Sequence, residues 1–111
     1  MKRRRDDSAI IESTGNVFAD LGLENADELL AKAELVRQIG AIVKARRLTQ
    51  IQAGKLLGLP QPGVSRLLRG QLEGFSTERL LRFLTSLNCD IDVVVRRRRA
   101  STPGHLRVRA A

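Results

Sequence analysis

The chain contains no tryptophan or tyrosine, and its 111 residues include only three phenylalanines, one cysteine and one histidine. Each scarcity removes a class of function. With aromatics at 3% the core must be aliphatic, and a surface that reads single-stranded RNA by stacking bases on rings is disfavoured. The lone Cys89 excludes an internal disulfide; it follows an apolar helical pattern, which makes it a packed, inert thiol rather than a nucleophile. His105 lies in a Gly- and Pro-containing basic tail with no second ligand nearby, so it is discounted as a metal or catalytic residue. No acid/base pair, no nucleophile beside a base and no metal-ligand cluster is visible. The expectation is a non-enzymatic protein with no cofactor, no metal and no small-molecule substrate. No apolar run approaches the roughly 18–20 residues of a membrane span and nothing resembles a signal peptide, so no membrane partner and a cytoplasmic location are expected.

A different absence is local. From Leu35 to Leu72 there are seven basic residues and no acid, although the whole chain carries 12 acids against 20 lysines and arginines for a net charge of +8. The acids concentrate earlier: residues 6–34 hold eight of them against Lys32 alone. Residues 73–95 are mildly acidic, and residues 96–111 add six arginines. An acid-free basic stretch is the footprint of a surface that meets phosphate, whereas scattered lysines and arginines would only solvate a face.

That stretch also carries the clearest local pattern, LTQIQAGKLLGLPQPGVSRLLRG over Leu48–Gly70. Thr49 is placed to cap a helix, with Gln52 three residues on completing a capping box. Ile51, Leu56 and Leu57 supply that helix with a buried side. Gly58 sits where a helix ends in the left-handed conformation, Leu59 plugs the corner, and Pro60 cannot continue a helix. Val64, Leu67 and Leu68 give the next segment one apolar side before Gly70 stops it. Helix, short corner, helix is the organisation of a DNA-binding helix-turn-helix, whose second helix enters the major groove. In isolation, Pro60-Gln61-Pro62-Gly63 reads as a loop; Pro62 is tolerated only in a first helical turn, and Gly63 costs about 1 kcal/mol against Ala there.

Residues 1–15 show no periodicity and are expected to be a disordered N-terminal tail. Asn16–Leu23 is read as a helical turn packing Val17, Phe18 and Leu21 inward. Asn25 begins a longer helix, with Asn25 and Glu28 in a capping-box pattern and a stripe of Leu29, Ala33, Val36 and Val43 broadened by Leu35, Ile39 and Ile42. Lys44, Arg46 and Arg47 close it, where cations suit the dipole and also lie within reach of phosphate. Beyond Gly70, Ser76 caps an amphipathic helix through Leu80, Leu81, Phe83, Leu84 and Leu87, closed by Asn88. Ile91-Asp92-Val93-Val94-Val95 is β-branched and too short for a helix. A lone strand needs a partner, and the expected one is the same strand of a second copy through Ile91, Val93, Val94 and Val95. Residues 96–111 read as a mobile basic tail.

The residues Leu48-Thr49-Gln50, Leu57-Gly58-Leu59, Gln61, Val64-Ser65-Arg66 and Arg69-Gly70 resemble the Xre family of phage-repressor-like helix-turn-helix proteins. The wider pattern resembles a compact subgroup of that family that includes HigA-like antitoxins of toxin–antitoxin operons. It comprises Phe18-Ala19-Asp20-Leu21-Gly22, the stretch from Ala26 to Ala33, Gln61-Pro62, Leu67-Leu68-Arg69-Gly70, Phe75-Ser76 and Cys89-Asp90-Ile91-Asp92-Val93. The resemblance implies an all-α fold of about five helices over residues 16–95, with a short C-terminal β-strand pairing across a dimer, bound to a palindromic operator in double-stranded DNA. It places Gln50 on the phosphate backbone and Gln61, Pro62 and Arg66 against base edges. Gln can pair with adenine and Arg can bridge O6 and N7 of guanine; Pro62 offers only apolar contact. Thr49, Lys55, Gly63, Ser65, Arg69, Arg46 and Arg47 complete the expected DNA-facing set. Where the family often has Ser or Thr at position 60, Pro60 cannot cap with a side chain. The function expected is a sequence-specific repressor that also neutralises a toxin protein, to which the acidic residues 6–34 offer a surface. The alternatives are a free-standing Xre-family regulator without a toxin, or a basic RNA-binding protein.

Overall fold

The computed structural model describes residues 25–111. They form four helices, α1 (Asn25–Ala45), α2 (Gln50–Leu57), α3 (Gln61–Leu68) and α4 (Thr77–Ser86), with no strand among the described residues. The expected tail over residues 1–15 and the helical turn at Asn16–Leu23 lie outside the described residues.

In α1, Asp27 and Glu28 occupy the first turn and Lys44 the last, each at the end of the dipole that favours its charge. The helix packs chiefly on α4, burying Ala31, Leu35, Val36, Ile39 and Val43. The expected stripe is rotated relative to this face. Leu29 is 53% exposed and Ala33 is also at the surface, while Ala31, absent from the expected stripe, is buried. Apolar residues surround much of the first half of α1, so periodicity alone does not select a face; the position of α4 does.

The four helices share one way of stopping. Arg47, Gly58, Gly70 and Asn88 all adopt left-handed backbone, with φ of 54°, 71°, 80° and 67°. At Arg47 the amide donates to the Lys44 carbonyl and the next amide, Leu48, to Val43, both at 3.0 Å; the same paired closure recurs at Gly70–Gln71 and at Asn88–Cys89. This is the Schellman arrangement, which satisfies carbonyls that the end of a helix leaves open. Glycine and asparagine were legible in this role, whereas an arginine was not.

Between α2 and α3 the chain turns within Gly58–Pro60. A Cβ on Gly54 would stand 2.5 Å from the Leu59 carbonyl oxygen and 3.4 Å from Val64 Cγ2, so only a glycine lets the corner approach α2 this closely. Leu59 is buried as expected. The inward residues of α2 are Ala53, Gly54 and Leu57, while Ile51 and Leu56, expected inside, are 60% and 43% exposed. Small inward side chains bring α3 so near that the buried face of α2 is too narrow to include them. The segment that reads as a loop in isolation is helical from Gln61: Pro60 is the N-cap with φ −66° and ψ 156° and no side-chain bond, and Pro62 falls in the first turn, where its missing N–H is not needed.

Ser76 caps α4 by accepting from the Arg79 amide at 3.1 Å. Leu80, Phe83, Leu84 and Leu87 then complete the core with Val64, Leu67 and Phe75. Phe75 and Phe83 meet edge to face at 6.1 Å, and the Arg79 guanidinium lies 5.4 Å from each ring centroid, a geometry that favours a cation near the ring faces. After Cys89 the backbone makes no further backbone hydrogen bond among the described residues. Ile91 and Val93–Val95 are exposed and carry no strand assignment in the single chain. The last residues do not lie free: Val108 packs against the core and Leu106 is half-buried.

Candidate nucleic-acid interface

The N-terminus of α2 is fixed by Thr49. Its hydroxyl accepts from the Gln52 amide at 3.1 Å, and its own amide donates to Gln52 Oε1 at 2.8 Å, the reciprocal box expected from the sequence. Gln50 follows at the first helical position. Its Oε1 lies 3.5 Å from Nε2 of Gln61, the first residue of α3, a long and weak bond that nevertheless sets the two helix starts side by side. Ile51, Gly54, Lys55 and Leu59 line a shallow groove between them.

On α3, Val64 and Leu67 are fully buried, which turns Gln61, Pro62, Arg66 and Arg69 to the surface and leaves Ser65 half-buried. Arg66 is the one long donor in the middle of this outward side. Its guanidinium makes no hydrogen bond or ion pair with a described residue. Gly63 does not join the exposed set. It is buried, and a Cβ there would stand 3.5 Å from Leu59 Cδ2, so it faces the corner rather than the outward side.

Lys55 and Arg47 are exposed. Arg46 is also at the surface, but its Nη2 donates to the Leu87 carbonyl at 2.6 Å, tying the end of α1 to the end of α4. Sequence reasoning missed this bond because its partners are 41 positions apart. Ile91, Val93, Val94 and Val95 stand outside the cluster, on the extended segment after α4.

The electrostatics follow from the missing acids. The ion pairs among described residues involve Asp27, Glu28, Glu34 and Glu78, none of them in the 35–72 stretch. Glu34 reaches into it through an ion pair with Arg37, bonded at 3.0 and 2.7 Å. That bond, with a second from Gln38 at 2.6 Å, holds the Glu34 carboxyl below the ordinary carboxylate range, and it raises the Arg37 guanidinium above its usual value. Lys55, Arg66 and Arg69 have no such partner among the described residues.

A family model described as a helix-turn-helix domain matches residues 17–96. The solved structure of a protein named "Putative XRE Family Transcriptional Regulator" superposes with a TM-score of 0.70 at 35% sequence identity, over 79% of this chain and 98% of that one. The chain belongs to the XRE-type helix-turn-helix family. No curated protein matches it. In this XRE-type protein α2 and α3 are the two helices of the motif, and the stretch without acids coincides with them. Among the described residues no three or more His, Cys, Asp or Glu side chains gather as a metal site, and no helix is long and apolar enough to cross a membrane.

Proposed function

We propose that the protein is a sequence-specific transcriptional repressor that binds a two-fold symmetric operator as a homodimer, with α3 in the major groove. The observation that carries this reading is Arg66: exposed, its guanidinium without a partner among the described residues, flanked by Gln61, Pro62 and Arg69, and set in a 38-residue stretch with no carboxylate. In this placement Arg66 bridges O6 and N7 of guanine, Gln61 pairs with adenine, and Pro62 offers an apolar contact to a thymine methyl. Gln50, Lys55, Arg47 and Arg69 meet phosphates and set the register. Thr49 acts indirectly, because its hydroxyl is committed to the capping box that orients the first turn of α2.

Arg66→Ala is expected to cost about 1–3 kcal/mol on a duplex of the region upstream of the protein's own coding sequence, and to relax discrimination at one base pair. Titration against that duplex and a scrambled one decides it, since equal losses on both remove the base-reading role. The dimer is supported by Val93, Val94 and Val95, apolar and 82%, 71% and 88% exposed in the single chain. Pairing these segments would satisfy the strand backbone of both copies and place two α3 helices about 34 Å apart. Val94→Pro should then sediment as monomer, and a dimeric variant moves the interface elsewhere.

The second reading is that this repressor is also an antitoxin. It is supported by the N-terminal half of α1, where Leu29 and Leu30 are 53% and 68% exposed beside Asp27, Glu28 and Glu34, an acidic and apolar surface suited to a basic protein. Co-expression with the product of the neighbouring reading frame should restore growth and yield a complex that survives purification. A harmless neighbour leaves a free-standing regulator.

A further inference from the structure

The helix-turn-helix leaves the longest run of arginines in the chain unused. From Val93 to Ala111 there are six arginines and no acid, four of them consecutive at Arg96–Arg99. We propose that residues 90–109 form a second DNA-contacting element, a basic loop anchored at both ends whose Arg96, Arg97 and Arg99 bind duplex phosphates beside the motif. The inference rests on the DNA-binding reading above.

Both anchors are visible. At the first, the Cys89 amide donates to the Leu84 carbonyl at 3.0 Å, and its side chain packs against the core. At the second, exposure alternates through His105, Leu106, Arg107, Val108 and Arg109, with only Leu106 and Val108 turned inward. This extended segment lies along α1 against Asp27, Leu30, Ala31 and Glu34, with His105 Nδ1 3.4 Å from Asp27 Oδ2. Apolar side chains meet the helix, and the basic residues lie near its carboxylates.

Between the anchors the arginines are not equivalent. Arg98 folds back, donating from Nη1 to the Pro103 carbonyl at 2.9 Å and from Nη2 to Thr102 Oγ1 at 3.2 Å. It bends the loop, while Arg96, Arg97 and Arg99 stay exposed, with no hydrogen bond or ion pair to a described residue. Adjacent guanidinium groups without a carboxylate repel one another, and a polyanion relieves that repulsion. Closing the segment at both ends also removes part of the freedom that a loose tail would lose on binding.

The root of the loop fixes its location. It leaves α4 just after Leu87, whose carbonyl holds Arg46 at 2.6 Å, and Arg46 lies three residues before the Thr49 cap of α2. The loop therefore starts where α1 leads into α2, and Arg96 lies within about 20–25 Å of extended chain from Cys89.

The test uses the full chain and a fluorescent duplex of mixed sequence, about 30 base pairs long, titrated between roughly 50 and 200 mM salt. Replacing Arg96, Arg97 and Arg99 together by Gln should weaken binding and lower the slope of log affinity against log salt by about 2 to 3, since each phosphate neutralised contributes about 0.9. The pair Leu106→Ser and Val108→Ser keeps every charge but frees the second anchor. It should weaken binding by roughly 3- to 10-fold while leaving the slope in place. An unchanged slope in the triple variant overturns the loop assignment, and wild-type affinity in the unanchored variant overturns the anchored form. Tighter binding to single-stranded RNA of the same length, with the slope lost only there, overturns the duplex as ligand. If wild type binds neither this duplex nor the upstream one, the DNA-binding reading itself fails. If wild-type binding depends on Arg66 but not on the three arginines, only the loop fails.

Discussion

Arginines on two regions of this molecule live in opposite surroundings. On α1 and α4 they stand one helical turn from a carboxylate: Arg37 with Glu34 and Arg82 with Glu78, each closing to 2.7 Å. At α3, Arg66 and Arg69 form no ion pair with a described residue, in a stretch from Leu35 to Leu72 that holds no acid. The contrast shows that the same side chain is a neutralised part of the scaffold or a standing field depending on what sits three or four residues away. A pair on the helix surface contributes little to folding, so pairing mainly cancels charge where it is not wanted. Its omission leaves charge where a polyanion is to be met.

The sharpest way to break the contrast is to copy the α4 arrangement onto α3. In Pro62→Glu the new carboxylate stands four residues before Arg66, as Glu78 does before Arg82. Loss of the free guanidinium plus repulsion from phosphate should lower operator affinity by about 100-fold, measured by anisotropy, with the helical circular dichroism unchanged. Retained affinity would mean that Arg66 is not a base-reading group.

A smaller effect tests whether the field must also be aimed. Gly54→Ala places a methyl 2.5 Å from the Leu59 carbonyl, and forcing the corner open should cost about 1–3 kcal/mol in urea unfolding. An unperturbed midpoint would show that α2 and α3 can separate freely. Next comes Arg46, which stands in the acid-free stretch yet is held by a carbonyl. Arg46→Gln should lose about 1 kcal/mol of stability and alter DNA binding less than Arg66→Ala; the reverse order would make Arg46 chiefly a phosphate contact.

The smallest effect belongs to a scaffold pair. Glu34 is held below its ordinary range in the folded protein, so its contribution is present above the unfolded carboxylate value and fades as pH falls through the folded one. Arg37→Gln should shift the unfolding midpoint by about 1–2 °C at pH 7. The shift should fade as pH falls through the lowered folded-state value, below which the carboxylate is protonated in both states, and DNA affinity should stay unchanged. A shift that persists in acid would assign the effect to lost packing of the arginine stem.

The features legible in the sequence were those set by near neighbours. Thr49 with Gln52, Ser76, Gly58, Gly70 and Asn88 each act within five residues, and all stand in the expected roles. Gln61, Pro62, Arg66 and Arg69, named through the family resemblance, do lie at the surface, opposite the buried Val64 and Leu67. What was misread depends on partners distant in the chain. Ile51, Leu56 and Leu29 are apolar and periodic, yet the close approach at Gly54 and the position of α4 leave them outside. Gly63, part of the expected DNA-facing set, is buried next to Leu59. The return of Leu106 and Val108 to α1 had one weak sign, the alternation within HLRVR.

The intimate contact of Gly54 with the corner also bears on how such a protein acquires new targets. Because α2, Leu59 and α3 are locked through backbone and buried aliphatic groups, α3 is presented as a rigid blade whose edge residues hold nothing together. The Gln61 side chain has only the weak bond to Gln50, and the Arg66 and Arg69 side chains bond to no described residue. Substitutions at these three positions can therefore change which sequence is read at little cost to the fold, so operator preference can drift in evolution, or be rewritten by a library confined to them, while the architecture stays fixed.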